Sequence, residues 1–257
     1  MATLVMLWGC DGSQRYAVKT EIIKVDSLGQ ILLLHDSLIK PVLYTNVAGL
    51  KHLPLPEAKR KFISAILPSI LVAKHQIHNT RGKISELKKK KRWDNADSVY
   101  YFEMKHKYRA KTIDDMMSRL VTLPNSIVLA QAAMETGWGE SRFFVQASNL
   151  FGIWSLDEKE SRIAAGNRKD RTIFLRSYDD MSRSIADYFE VLARHGAYRS
   201  LRKTLQQTSD PYTLLPHLRN YSERKSWYTR QLKIVIRQNN LTKYDRYRID
   251  PGYLVRE

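Results

Sequence analysis

The sequence feature that most constrains the fold is an uncharged stretch that ends in a single carboxylate. The residues SIVLAQAA, which precede Met134 and Glu135, carry no charge in a chain with 43 Lys and Arg and 26 Asp and Glu. Pro124 near its start and Gly137 and Gly139 after it predict one helix from Asn125 to about Glu135. This is the most apolar helix-like run of the chain, and it ends at the single carboxylate of Glu135.

The position of Glu135 suggests an acid that stays partly protonated. Its carboxyl would lie at the negative end of the helix dipole and against apolar neighbours, and both raise the pKa of a carboxyl group. A glycosidase needs such a group as general acid, because a sugar oxygen leaves readily only when it is protonated. The alternative is a helix-end Glu135 that points into water.

The positive charge of the chain favours polyanionic partners but does not indicate which class of polyanion is bound. The formal net charge is +17 and the pI about 9.9, which suits nucleic acid, anionic lipid or an acidic wall polymer, or simply solvated basic faces. The basic block Lys88–Arg92 fits a solvated helix end better than an anion or membrane contact. No run approaches the ~20 apolar residues of a membrane-spanning helix.

The single cysteine, Cys10, excludes an intramolecular disulfide and a cysteine-based metal cluster. It ends the apolar run MATLVMLWGC and is followed by polar residues, a pattern similar to the end of a bacterial lipoprotein signal. We therefore expect lipid attachment at Cys10 and a mature chain that starts there, the alternative being an ordinary unpaired cysteine.

The remaining pattern predicts a mainly helical C-terminal half. From Pro56 the apolar period is helical, and Pro68 must kink or split that helix. Residues 155–178 read as a small β-hairpin or loop lobe, with a turn at Gly166 and Asn167 and a strand around Ile173 and Leu175. The predicted division is a signal remnant over 1–10, an N-terminal extension over 11–110, a catalytic domain over 111–245 and a tail over 246–257.

Aromatic and amide side chains in the C-terminal half form a candidate sugar site. Aromatic faces suit the C–H groups of sugars, and amides suit their hydroxyls. Singly, each of these aromatic residues is more often part of a core. The candidate substrate contacts are Trp138, Asn149, Phe151, Trp154 and Tyr178.

The motif AQAAMETGWGES followed by SNLFG resembles the glucosaminidase domain of glycoside hydrolase family 73, the FlgJ-like family. IKPVLY (Ile39–Tyr44) and the segment Lys59–Lys74 resemble its Bax-like bacterial branch. The resemblance covers roughly residues 35–245. It implies a lysozyme-like α+β fold, predominantly helical, with a small β lobe.

This resemblance also implies an activity and roles for individual residues. The activity is cleavage of the β-1,4 bond after N-acetylglucosamine in the glycan strands of peptidoglycan. Glu135 matches the general acid of the family. Trp138, Asn149 and Phe151 match positions that form its cleft, and Tyr221 matches a late tyrosine opposite the acid.

The second catalytic group is open at this point. Glu160 and Asp170 are carboxylate candidates in the β lobe, ahead of Asp157 and Glu158. The alternative is that the 2-acetamido oxygen of the substrate attacks the anomeric carbon, with Tyr221 orienting that group.

Competing functions are a lytic transglycosylase on the same polymer, an inactive wall-binding module and, from charge alone, a nucleic-acid binder. We expect no nucleic-acid partner and no cofactor. His75 and His78 lie three residues apart without a further ligand, so we expect no metal site. We expect a monomer in the cell envelope, periplasmic and held to a membrane by its lipid.

Overall fold

The computed structural model describes residues 15–168 and 171–256, so Cys10 and Asp170 lie outside the described residues. The helices are α1 (Leu55–Lys89), α2 (Asn95–Lys107), α3 (Ile113–Arg119), α4 (Asn125–Thr136), α5 (Arg142–Ala147), α6 (Met181–Arg194), α7 (Arg199–Thr204), α8 (Pro211–Leu214) and α9 (Lys225–Gln238). The strands are β1 (Tyr16–Val18), β2 (Glu21–Lys24), β3 (Leu38–Ile39), β4 (Val42–Thr45), β5 (Arg162–Arg168), β6 (Arg171–Arg176), β7 (Arg248–Ile249) and β8 (Leu254–Arg256).

Helix α4 is the helix that the uncharged stretch predicts. It begins after Pro124 and ends at Gly137, whose φ of 59° is left-handed. Its described residues from Asn125 to Ala133 are all buried, and it packs against α1, α9 and the 3₁₀ segment Leu241–Arg246. The last turn, which carries Glu135, is where the helix emerges from the core.

The turn after α4 is fixed by a hydroxyl and a glycine. The Thr136 hydroxyl donates to the Ala132 carbonyl at 2.6 Å and accepts the Gly139 N–H at 3.0 Å. Gly139 has a φ of +92°, and a Cβ there would lie 2.6 Å from Leu50 Cδ1. Position 139 therefore requires glycine for both conformation and space.

Helix α1 forms the other half of the core and runs through Pro68 without ending. Of the two predicted outcomes, the split does not occur. Ile66, Leu67 and Ile70 on either side of the proline are fully buried, and α1 contacts α4, α6 and β4. Packing on several sides compensates for the backbone hydrogen bond that Pro68 cannot make.

The β lobe is the antiparallel hairpin of β5 and β6, as the sequence predicts, but the predicted turn is wrong. Gly166 and Asn167 pair with Ile173 and Thr172 inside the hairpin. The register shifts between Ala164 and Gly166, and Gly166 has a φ of +143°. The glycine thus marks a β-bulge within the strand instead of a chain reversal.

Short strand pairs order the N-terminal region, and two of them, β1 with β8 and β3 with β7, join it to the C-terminal end of the described chain. Strand β1 is antiparallel to β8, while β3 is parallel to β7 and β2 is parallel to β4. The mainly helical α+β fold with a small β lobe and an N-terminal extension is confirmed, and the boundaries at residues 110 and 245 stay a prediction. Within residues 15–168 and 171–256, no helix has both the length and the hydropathy needed to cross a membrane.

Candidate active site

A directed chain of hydrogen bonds ends at the carboxyl group of Glu135. Gln131 and Glu135 are four residues apart on α4 and therefore share one face of the helix. The Tyr188 hydroxyl donates to Gln131 Oε1 at 2.5 Å, Gln131 Nε2 donates to the Tyr228 hydroxyl at 3.0 Å, and that hydroxyl donates to Glu135 Oε1 at 3.0 Å. The chain fixes the position of the carboxyl group relative to α6 and α9.

Three tyrosines form one packed unit beside this chain, the tyrosine cluster (Tyr188, Tyr221 and Tyr228). The ring of Tyr221 stacks on Tyr228 with centroids 5.5 Å apart and meets Tyr188 edge-on at 5.9 Å. Tyr188 and Tyr228 are buried, and Tyr221 is half-buried. Burial raises the pKa of all three hydroxyls, so each is a neutral donor at neutral pH.

The pKa of Glu135 is raised, in the direction that the sequence predicts. The cause is desolvation of the carboxyl group, which the hydrogen bond from Tyr228 partly offsets. The residue is nevertheless exposed. A carboxyl group that is partly enclosed by protein and still open to solvent on one side can reach a ligand and hold a proton.

Cavity size does not locate this site. A cavity of about 640 Å³ is lined by His78, Arg81 and Asp114 among others and not by Glu135. That cavity brings together no chain of donors like the one at Glu135. The chemistry of the side chains, not the enclosed volume, therefore identifies the candidate site.

Of the predicted substrate contacts, Trp154 and Trp138 keep accessible ring surface. Trp154 is 52% exposed. Trp138 is half-buried, packs edge-on against Phe62 at 5.4 Å and has Lys59 Nζ 4.8 Å from its ring. Tyr178 is half-buried, and its hydroxyl donates to Asp187 at 2.9 Å.

Asn149 and Phe151 have placements that favour a structural role over the predicted sugar contact. The Asn149 side chain is buried, donates to the carbonyls of Ile153 and Arg176 at 3.0 and 2.9 Å and accepts the Ile153 N–H at 3.0 Å. Phe151 is 8% exposed and stacks on Tyr188 with centroids 4.2 Å apart. Asn149 thus holds the loop to the β lobe, and Phe151 supports the tyrosine cluster.

Glu160, one candidate for the second catalytic group, belongs to an ion-pair network. Arg176 donates to its Oε2 at 3.0 Å and to its Oε1 at 2.5 Å, and the Ser155 hydroxyl donates to Oε2 at 2.9 Å. Arg176 also pairs with Asp187 at 2.7 Å. Both oxygens of Glu160 are therefore engaged in joining the β lobe to α6. The other candidate, Asp170, lies outside the described residues.

Sequence reasoning missed Gln131, Tyr188 and Tyr228 as members of the site. Gln131 had one available signal, its spacing of four residues from Glu135. Tyr228 had another, because it precedes the buried Leu232 by four residues and thus shares the inner face of α9. That this face meets α4 depends on a contact across 93 residues of sequence.

Comparison with known proteins gives a family and several relatives. The family model Glucosaminidase, described as mannosyl-glycoprotein endo-beta-N-acetylglucosaminidase, matches residues 110–241. Protein bax of Escherichia coli K12 is 24% identical over 195 residues, which is 70% of this chain and 69% of that protein.

Two solved structures show a weaker likeness. The catalytic domain of the autolysin Auto from Listeria monocytogenes is 18% identical with a TM-score of 0.47, covering 77% of this chain and 98% of its own. The glycoside hydrolase domain of Salmonella typhimurium FlgJ is 20% identical with a TM-score of 0.40, covering 55% and 90%.

The matched region contains α4, Glu135 and the whole tyrosine cluster. It also contains both strands of the β lobe and the Arg176 network. Because the family model spans residues 110–241, more than half of the 257 residues, the chain belongs to the glucosaminidase family and is a glycosidase.

Proposed function

We propose that this glycosidase hydrolyses the β-1,4 bond after N-acetylglucosamine in peptidoglycan, with Glu135 as general acid. One observation supports this above all: the desolvated carboxyl group of Glu135, held by the Tyr228 hydroxyl at 3.0 Å. The match of the glucosaminidase family model to residues 110–241, which include Glu135, adds support.

In the proposed reaction, Glu135 donates its proton to the glycosidic oxygen as the bond to the anomeric carbon breaks. Burial keeps a larger share of the carboxyl protonated near neutral pH than water would. The hydrogen bond from Tyr228 then stabilises the carboxylate that remains. Trp154 and Trp138 provide ring surface for the sugars, and Tyr178 borders the same lobe.

For the second group we favour the acetamido oxygen of the substrate. The engagement of Glu160 with Arg176 and Ser155 makes it a poor nucleophile or base. In the substrate-assisted route the carbonyl oxygen of the 2-acetamido group attacks the anomeric carbon, the leaving oxygen takes the proton of Glu135, and water opens the resulting ring. Tyr221, which lies against Tyr228, is the residue proposed to orient that acetamido group.

The test is digestion of purified sacculi by the wild type, Glu135→Gln and Asp170→Asn. We expect Glu135→Gln to lose ~10²–10⁴-fold of the activity, the usual contribution of a general acid. The substrate-assisted route predicts near wild-type turnover for Asp170→Asn and inhibition by a thiazoline analogue of N-acetylglucosamine.

The products of the same digestion decide between reaction classes. Hydrolysis after N-acetylglucosamine leaves reducing N-acetylglucosamine ends. Anhydro-muramyl ends would instead assign the chain to the lytic transglycosylases. Intact sacculi after prolonged digestion by the wild type would contradict the proposed substrate altogether.

We also propose that the protein works in the cell envelope, where peptidoglycan is found, and that Cys10 carries a lipid. The support for lipid attachment is the sequence MATLVMLWGC. Metabolic labelling with a fatty-acid analogue, compared between wild type and Cys10→Ala, tests it. The expected result is label in the wild type alone.

A further inference from the structure

The segment that brings Tyr221 and Tyr228 to Glu135 carries an unusual excess of positive charge. Between residues 215 and 238 there is one carboxylate, Glu223. The cations of this segment are Arg219, Arg224, Lys225, Arg230, Lys233 and Arg237. No ion pair involves any of them in the part of the chain that the structure describes.

The opposite situation holds in the β lobe. There Arg176 binds Glu160 and Asp187 at 2.5 and 2.7 Å. Neutralised charges need no further partner. The cations in and just before α9 have no ion-pair partner among the described residues, so their charge is available to an anionic ligand.

Among these cations Arg224 has the geometry of a prepared anion site. It immediately precedes α9, and its guanidinium lies 4.8 Å from the centre of the Trp227 ring. Trp227 is 41% exposed. An arginine held on an aromatic face loses little freedom on binding, and its N–H groups stay free for a planar, bidentate acceptor such as a carboxylate.

Arg224 also lies close to the reacting groups along the helix. It precedes Tyr228 by four residues, which corresponds to about 6 Å of rise along the helix. The hydroxyl of Tyr228 contacts Glu135 at 3.0 Å. A carboxylate bound by Arg224 would therefore belong to a substituent near the bond that is cleaved.

We propose that Arg224, held on Trp227, binds a carboxylate of the peptide that substitutes the glycan strand. This inference rests on the proposed function, since the sugar that leaves when the bond after N-acetylglucosamine breaks is the one that carries the peptide. It makes the protein selective for peptide-bearing over neutral glycan. The exposed indole offers an apolar face to the same peptide.

The test compares two substrates that differ in charge alone. One is soluble peptidoglycan strands with their peptides, and the other is the same strands after the peptide carboxylates are converted to neutral amides. The readout is the ratio of kcat/KM for native to amidated strands. We expect the wild type to prefer native strands and Arg224→Gln to lose about fivefold of that preference, the scale of an exposed ion pair.

Arg248→Gln is the matched control, because Arg248 is also exposed but belongs to β7 and lines a cavity that includes neither Arg224 nor Glu135. It should keep the wild-type ratio. Arg224→Lys keeps the positive charge but lacks the two parallel N–H groups of the guanidinium, so it should lose part of the preference for native strands. Arg224 makes no side-chain capping bond, so these variants should fold.

The inference is overturned if Arg224→Gln keeps the full preference of the wild type. It is equally overturned if the wild type cleaves both substrates at one rate, in which case the proposed function stands. A wild type that cleaves neither substrate removes the proposed function itself, so the two failures are distinct.

Discussion

Two opposing effects act on the pKa of Glu135. Loss of hydration raises the pKa of the carboxyl group, and the hydrogen bond from Tyr228 lowers it. The Tyr228 hydroxyl is in turn held by Gln131 at 3.0 Å, so its proton points to the carboxylate. Through its hydrogen bond to Glu135, α9 can adjust the acid strength of a residue on α4.

Replacing Tyr228 by phenylalanine should therefore alter the pH dependence of catalysis. The hydrogen bond stabilises the ionised form of Glu135, so its removal raises the pKa of the acid. Activity requires the protonated form and is lost as pH rises through that pKa. The alkaline limb of the kcat/KM profile of Tyr228→Phe should move to higher pH, while the plateau falls no more than ~10-fold because the proton donor remains.

The profile of Tyr244→Phe is the control, since the Tyr244 ring packs on Tyr247 in another part of the chain. Its alkaline limb should coincide with that of the wild type. A Tyr228→Phe limb that stays in place or moves to lower pH would contradict the assignment of this limb to Glu135.

Features of the site that depend on sequence neighbours could be predicted, and those that depend on residues far apart in sequence could not. The raised pKa of Glu135 is predictable because its apolar neighbours are adjacent in sequence. The role of Tyr228 is not, because its contact with Glu135 joins residues 93 positions apart. The backbone hydrogen bonds of the Asn149 side chain were not predictable either, because a polar side chain in a turn can bind ligand or backbone and the sequence is the same in both cases.

At the level of elements, the direction in which α4 delivers Glu135 depends on the turn after the helix. Thr136 holds that turn through its hydroxyl, and Gly139 lets it approach Leu50 and Phe62. The left-handed φ of Trp138, 58°, keeps its ring against Phe62. The motif around Glu135 is therefore as much a packing motif as a catalytic one.

Alanine at Gly139 should destabilise the fold more than alanine at Gly152. Both glycines have positive φ, +92° and +62°. The added Cβ at Gly139 meets Leu50 Cδ1 at 2.6 Å, whereas at Gly152 nothing lies within 4 Å. We expect losses in the free energy of unfolding of about 3 kcal/mol for Gly139→Ala and about 1 kcal/mol for Gly152→Ala, measured by urea denaturation. Equal losses would show that backbone conformation alone accounts for Gly139.

Helices and strands were predictable where the sequence shows a regular apolar period or residues that start or end a helix. The exact positions of turns and helix breaks were less predictable. The start of α4 after Pro124 and its end at Gly137 are local and follow from the residues themselves. The bulge at Gly166 was mistaken for a turn because glycine serves both. The passage of α1 through Pro68 depends on packing that no local signal contains.

At the scale of the molecule, the net charge is +17, and only some of the Lys and Arg side chains that the structure describes form ion pairs with carboxylates. In the basic block, Lys88 pairs with Asp114 and Lys90 with Asp97. Lys89, Lys91 and Arg92 are exposed and take part in no ion pair within the described residues. The block is thus a solvated helix end, as the sequence predicts. Its three unpaired cations can also interact with an anionic surface.

These three free cations should speed the encounter with the wall more than the chemistry. Peptidoglycan carries carboxylates, so neutralising Lys89, Lys91 and Arg92 together to glutamine should slow association with sacculi about threefold at low ionic strength. Hydrolysis of a short neutral glycan should keep its rate, since the block is outside the candidate site. Replacing the paired Lys88 and Asp114 together, by Gln and Asn, is the matched control and should leave association near the wild-type rate, because the net charge does not change. Association is measured by pelleting the sacculi over time. At high salt, the difference in association rate between the wild type and the triple variant should disappear. A difference that persists at high salt would show that the block acts through direct contacts and not through long-range electrostatic attraction.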